Sequence, residues 1–308
     1  MNKNEILISV ILNNYNYSRY IAEAITSVLE QSYANFELII VDDGSTDNSK
    51  EIIEQFAKKD SRIKLCFKEN GGQASAFNAG YEAAKGDIIC FLDSDDYFAP
   101  EKLAEIKKMH TEGYHYIYSD HQGVNSDNMK ISDPLKRYKY NGFNTFLVYY
   151  LSKYPGDVTS SLSITKELAE KIFPLQNTEN WRIQADDCIV FQAGMLTRAF
   201  FLDKKLIFYR IHENNGYYGK KLSSDYVYDL LIKRNALKKL ALGKMEISDA
   251  FFNNTYNLIA EFKTHKQVDT NLFKLYMHVL WIEMNTGLLN KLKTSYKVYK
   301  LFQKRRAR

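Results

Sequence analysis

The residues best suited to chemistry lie where apolar runs end. Asp93-Ser94-Asp95 follows the run Ile88 to Leu92. Two carboxylates separated by one small residue can divide two tasks. One can bind a hard divalent cation and the other a hydroxyl of the same ligand. Magnesium and manganese prefer oxygen donors and keep positions open for phosphate oxygens. Taken alone, an acidic turn is also a common helix cap, and Asp96, ahead of Pro100, reads as one. A second pair, Asp42-Asp43, ends the run Phe36 to Val41 and leads into Gly44-Ser45-Thr46-Asp47. Ser45 or Asp47 suits the cap of a following helix. Capping leaves the adjacent carboxylates unexplained. An aspartate there can accept a hydrogen bond from the imide of a base such as uracil. A third stretch runs from Asn70 through Gly71, Gly72 and Gln73 to Gly80. Glycines before a helix permit close backbone approach, and a helix start favours phosphate. The stretch has neither the lysine of a P-loop nor the spacing of a dinucleotide fingerprint.

The elements that must position these residues alternate. Strands are expected at Ile8 to Leu12, Phe36 to Val41, Ile63 to Phe67 and Ile88 to Leu92. Between them, Ile21, Ala24, Ile25, Val28 and Leu29 recur at helical spacing, as do Ile52, Ile53, Phe56 and Ala57. Ala74 to Ala84 reads as a third helix, and Pro100 fits the first turn of a fourth. Nearly unbroken apolar strands alternating with helices imply an α/β fold around a parallel sheet buried on both faces. Ligands of such sheets bind beyond the carboxyl ends of the strands, where all of these motifs fall. From Tyr114 to about His212 only short strand-like pieces recur: Tyr116 to Tyr118, Leu162 to Ile164, Phe200 to Leu202 and Leu206 to Tyr209. After Gly219 the chain reads as helical.

Composition narrows the function classes. Of the 308 residues, 45% are hydrophobic and the net charge is +5, ordinary for a folded domain. The charge is unevenly placed. Lys291 to Arg308 holds eight basic and no acidic residues, and the rest of the chain has 34 basic against 37 acidic. The domain itself is therefore not a nucleic-acid binder, and the tail has its own partner. Cys66, Cys90 and Cys188 lack metal-type spacing and read as free thiols of a reducing compartment. Met1 to Glu5 is polar and has no signal-peptide pattern. No apolar run approaches the ~20 residues of a membrane span. The expected location is the cytoplasm, at most peripheral on the inner face of the membrane.

The motifs ISVILNNYNYSRYI, LIIVDDGSTDNS and ENGGQASAFNAGYEAAKGDIICFLDSDD, in this order and spacing, resemble the family 2 glycosyltransferases of the GT-A fold. The resemblance spans Ile6 to Leu103 and continues more weakly to His212. It implies a GT-A domain over residues 1–218, with a nucleotide-binding half (1–112) and an acceptor half (113–218), followed by a helical region over 219–308. It also implies roles. Asn13 and Tyr15 hold the nucleotide, Tyr15 by packing on the base. The Asn13-Asn14 pair departs from the commoner Pro-Thr or Thr-Ser. Asp43 reads the uracil imide. Gly72, Gln73, Ser75 and Asn78 line nucleotide and donor sugar. Asp93, followed by Ser94, faces ribose or sugar, and Asp95 is the ligand of Mn2+ or Mg2+. In Gln184-Ala185-Asp186-Asp187, Asp187 matches the general base and Asp186 its partner; helix capping is the plainer reading of both. In Tyr209-Arg210-Ile211-His212, His212 matches a further metal ligand. Trp181 is either an acceptor platform or a core residue.

The implied activity is inverting transfer from a nucleotide-diphosphate sugar, UDP-linked or dTDP-linked, to a glycan or lipid-linked glycan of bacterial surface-polysaccharide type. Rival readings are a nucleotidyltransferase, a non-catalytic sugar-nucleotide or glycan-binding module, and a structural membrane-associated protein. The first lacks its basic glycine-rich loop, since Asn13 to Tyr17 stands there. The tail adds an amphipathic helix. Leu288, Leu292, Tyr296, Tyr299 and Phe302 recur at helical spacing beside Lys293, Lys297, Lys300 and Lys304. Such a helix suits an anionic membrane surface, or packing on the domain or on a second copy in a homo-oligomer.

Overall fold

The computed structural model describes residues 6–132, 138–213, 215 and 222–306. Four strands, β1 (Ile8–Asn14), β2 (Phe36–Asp42), β3 (Ile63–Phe67) and β4 (Ile88–Asp93), alternate with helices α1 (Ile21–Leu29), α2 (Ser49–Ala57) and α3 (Gln73–Ala83). These four strands pair in parallel, in the order β3-β2-β1-β4. After β4 the sheet turns mixed. A two-residue strand β5 (Tyr97–Phe98), α4 (Lys102–Thr111), β6 (Tyr116–Val124), α5 (Thr145–Leu151), β7 (Leu162–Thr165), α6 (Lys166–Ile172), α7 (Asp186–Leu196) and β8 (Ala199–Arg210) follow. The complete order is β3-β2-β1-β4-β7-β6-β8-β5, with β7 antiparallel to both neighbours. The fold is thus the mostly parallel, helix-flanked α/β sheet that the sequence implied. The pieces Phe200 to Leu202 and Leu206 to Tyr209 belong to one strand. Register shifts beside Asp120 in β6 let β8 run through the intervening polar residues.

Alternation along buried strands builds two cores. Ile8, Val10, Leu12, Leu38 and Ile40 meet α1, α2 and α4 through Ile21, Ile25, Val28, Ile53, Leu103 and Ile106. Ile11, Ile39, Val41, Ile89 and Phe91 face the other way, toward Phe77 of α3. Full burial of each such side chain contributes about 1.5–3 kcal/mol. On α1 the residues at positions i, i+3, i+4 and i+7 from Ile21 are the buried ones. Two cap assignments resolve. Asp47 accepts from the Ser49 N–H at the start of α2, whereas Ser45 Oγ accepts from Asn14 and the Asn16 N–H. Asp96 caps nothing: its carboxylate is buried and takes bonds from Ser160 and the Arg210 N–H.

The rest of the described chain is helical: α8 (Ser224–Met245), α9 (Thr255–Phe262), α10 (Thr270–His278) and α11 (Leu288–Arg306). Ser223 starts α8 by accepting from the Tyr226 N–H. Leu230, Leu237 and Ala241 of α8 share a core with Phe146 of α5 and Val190 of α7. No helix among the described residues is long and apolar enough to cross a membrane. All three cysteines are free thiols, Cys90 and Cys188 buried and Cys66 partly so.

Candidate active site

The exits of β1, β2 and β4 form one acidic rim. Strand register sets Asn13 beside Asp93 and Asn14 beside Asp42. Asn14 Nδ2 donates to Asp42 at 2.7 Å, and the Ser45 N–H donates to the other oxygen at 2.9 Å. Asp42 thereby holds its turn. Asp43 holds the glycine loop: its Oδ1 accepts from Lys68 and the Gly71 N–H, and its Oδ2 from the Gly72 N–H at 2.7 Å. A carboxylate offers about four acceptor positions, and the described residues fill three of them, leaving one on Oδ2. Tyr15 is 46% exposed at this rim, which leaves a ring face for a base.

The glycines do their work against the chain itself. Gly72 has φ +85°, and a Cβ there would lie 2.4 Å from the Arg182 Cα; at Gly71 it would lie 2.6 Å from Ser75 Oγ. The first amide of α3, on Gln73, donates to the Arg182 carbonyl, and Arg182 bonds Asn70. Gln73 then bridges two motifs. Its Nε2 donates to Asp93 Oδ1 at 3.1 Å, and its Oε1 accepts from the Ala185 N–H at 2.9 Å. Ala185 immediately precedes α7 and its two acids. Asn78 points elsewhere: its amide both donates to and accepts from the Leu175 backbone, fixing α3 to the chain before Trp181. Trp181 is 4% exposed and sits in the main core. This placement is the one the core reading of Trp181 expects.

The end of β4 and the turn after it carry three carboxylates, Asp93, Asp95 and Asp96. Burial, and then the charges of Asp95 and Asp186, push Asp93 up to about 7, against a lowering effect of nearby Thr159 and Asn13. Asp96 is raised by burial and by Asp95 and Asp93. Short β5 returns the chain to β8, pairing Tyr97 with Phe208, and so brings the end of β8 over this turn. Arg210, fully buried, donates from Nε to the Asp95 carbonyl, from Nη1 to Asn128 and from Nη2 to Glu23. It locks the acidic turn against α1. His212 lies stacked with Tyr20, their centroids 5.3 Å apart, and edge-on to Tyr17. Its Nε2 stands 3.1 Å from Asp95 Oδ2. An oxygen and an imidazole nitrogen converging in a crowd of carboxylates is a donor set that suits a divalent cation. A second group, Asp120, His121 and Asp157, brings possible ligand atoms within 4.8 Å of one another. There His121 Nδ1 is already 2.8 Å from Asp157 Oδ2.

Two acids open α7. Asp186 is half-buried and bonded by the Tyr154 hydroxyl, and burial raises its pKa. Its charge is felt at Asp93 and at Tyr209. Asp187 is 2% exposed. Burial pushes it up to about 6, while its bond to Arg234 pulls the other way. Arg234 comes from α8, where Leu230, Arg234, Leu237 and Ala241 follow one helical face. It donates to both Asp187 oxygens and lies 5.2 Å from the Phe191 ring centre. No local sequence pattern marks Tyr154 or Arg234 as part of a site. Arg234 does stand as a charged residue inside the apolar stripe of α8.

Comparison with known proteins fits this arrangement. Residues 9–183 match the model of glycosyl transferase family 2. An uncharacterized glycosyltransferase of Nostoc sp. is 34% identical over 245 residues, which cover 73% of this chain and 76% of that one. Residues 1–349 of Staphylococcus aureus TarS, solved in complex with UDP, superpose with a TM-score of 0.57 at 19% identity, over 97% of this chain and 92% of that one. A mannosyltransferase of Pyrobaculum calidifontis, solved with GDP-Man and Mn2+, gives a TM-score of 0.52 at 15% identity, over 96% and 84%. With its motifs in register on a GT-A fold, the chain belongs to glycosyl transferase family 2.

Proposed function

We propose that the chain moves a sugar from a nucleotide-diphosphate sugar, with a UDP-sugar favoured, to a hydroxyl of a glycan or lipid-linked glycan, inverting the anomeric carbon. The observation that carries this reading is the Gln73 bridge, which ties the Asp93 carboxylate at the rim to the start of α7. Donor-side acids and a candidate base are thereby held in one rigid unit, as an in-line displacement needs. The similar folds solved with UDP and with GDP-Man support a nucleotide-sugar donor. The open acceptor position of Asp43 and the exposed ring of Tyr15 support uridine, with thymidine offering the same imide.

Asp187 serves as the base. It takes the proton of the acceptor hydroxyl while that oxygen attacks the anomeric carbon, and the bond to the diphosphate oxygen breaks with its electron pair. A carboxylate pushed up to about 6 is ionised at neutral pH, yet accepts a proton better than an ordinary aspartate. Arg234 keeps it from rising further. Asp95 and His212 are the residues that would hold Mn2+ or Mg2+, whose charge, when bound, stabilises the diphosphate leaving group. Arg210 fixes the Asp95 backbone and so the aim of that carboxylate. One observation favours a second reading of the base: Asp186 is the less buried acid and the one whose charge reaches Asp93. Titrating the protein with a panel of UDP- and dTDP-sugars tests the donor class. Saturable binding of one of them is expected, and binding of none overturns the reading.

A further inference from the structure

The outward face of α11 has two stripes. Thr294, Val298 and Phe302 turn inward and are buried, with Phe302 stacked on Phe273 of α10. Arg305 anchors the same side by donating to the carbonyls of Phe262 and Lys263 at the end of α9. Phe302 therefore leaves the apolar set that its spacing suggested. The remaining four, Leu288, Leu292, Tyr296 and Tyr299, are 64%, 51%, 60% and 48% exposed. At 100° per residue they fall within an arc of about 80°. Lys293, Lys297, Lys300 and Lys304 fill the next arc of about 60°. Beyond the other edge of the apolar stripe, Trp281 bonds Ser295, and its neighbour Ile282 is exposed.

We propose that this face docks on an anionic lipid bilayer. The inference is independent of the reading of the active site. Leucines that dip below the headgroups, tyrosines and a tryptophan at their level, and lysines reaching lipid phosphates together make an interfacial helix. Charge selects this occupant over a second copy of the chain. Leu288 to Arg306 contains no Asp or Glu, so a two-fold pairing of α11 with itself, in either direction, offers the lysine stripe no carboxylate. An anionic surface satisfies both stripes at once.

The test is flotation of the full chain, without donor or acceptor, with vesicles of phosphatidylcholine alone or mixed equally with phosphatidylglycerol. Binding to the mixed vesicles alone is expected, with a blue shift of Trp281 fluorescence; buried Trp181 contributes little change. The double variant Leu292→Ser/Tyr296→Ser should bind at least about tenfold more weakly. The triple variant Lys293→Gln/Lys297→Gln/Lys300→Gln should lose the preference for phosphatidylglycerol. All five sites are on the surface, and circular dichroism checks that the variants fold. Absence of binding, or binding that these substitutions leave unchanged, overturns the proposal. So does a dimer in sedimentation that Leu292→Ser dissociates without any vesicle binding.

Discussion

Arg234 on α8 grips both oxygens of Asp187 on α7, Nε to Oδ2 at 2.6 Å and Nη2 to Oδ1 at 3.1 Å. The bidentate fork joins the helical region, 47 residues downstream, to the proposed base. Burial and the guanidinium act on Asp187 in opposite directions. The balance leaves a carboxylate that is ionised at neutral pH but remains a serviceable proton acceptor.

Substituting Arg234→Gln removes the opposing charge, so the Asp187 pKa rises above about 6. A base must be ionised to work, so activity falls as pH drops through its pKa. The acidic limb of the kcat/KM profile should therefore move to higher pH, by about one unit. Breaking this pair should also cost about 3 kcal/mol of stability. Arg234→Lys should restore part of the pH shift. A purely structural Arg234 would lower the melting temperature and leave the limb in place.

Metal dependence is predicted to run through Asp95 and His212. Calorimetry should find UDP binding to the wild-type chain strengthened by manganese, and Asp95→Ala should abolish that enhancement. His212→Ala should weaken it by about tenfold, as the loss of one ligand of several. Equal UDP affinity with and without manganese in all three proteins would remove the metal from the account.

The Gln73 bridge predicts a positioning effect. Gln73→Leu leaves both Asp93 Oδ1 and the Ala185 N–H without this partner. Turnover should fall about ten- to a hundredfold, with little change in UDP affinity. A matched loss of affinity and no loss of turnover would place Gln73 on the nucleotide alone.

Gly72→Ala should destabilise the fold by at least about 2 kcal/mol, since φ of +85° and a backbone 2.4 Å from the new Cβ both oppose it. Thermal unfolding measures this. An unchanged melting temperature would mean that the Arg182 segment can withdraw from the loop.

The parallel half of the fold was legible because strands buried on both faces read as unbroken apolar runs. Their exits were legible because acids and glycines stand where such runs stop. Beyond Tyr114 the signal thinned for physical reasons. β8 carries the polar residues Asp203, Lys204 and Lys205 through a bulge, so one strand looked like two. Asp96 resembled a cap, but its partner Arg210 is 114 residues away. Arg234 and Asp187 meet only after α8 packs on α7, and no local spacing records such a meeting. Trp181 and Phe302 had the right types for exposed roles, and both are buried in the packed core.

We propose Asp187 as the base of a glycosyl transfer. Its most direct test is single-turnover transfer by Asp187→Asn and Asp186→Asn beside the wild-type chain, with the UDP-sugar that binds. The amide keeps the shape of the carboxylate but cannot take the proton. Asp187→Asn should lose about a thousandfold in rate while binding donor normally, and Asp186→Asn should lose less. Near wild-type transfer by Asp187→Asn, with Asp186→Asn inactive, would contradict the claim and make Asp186 the base.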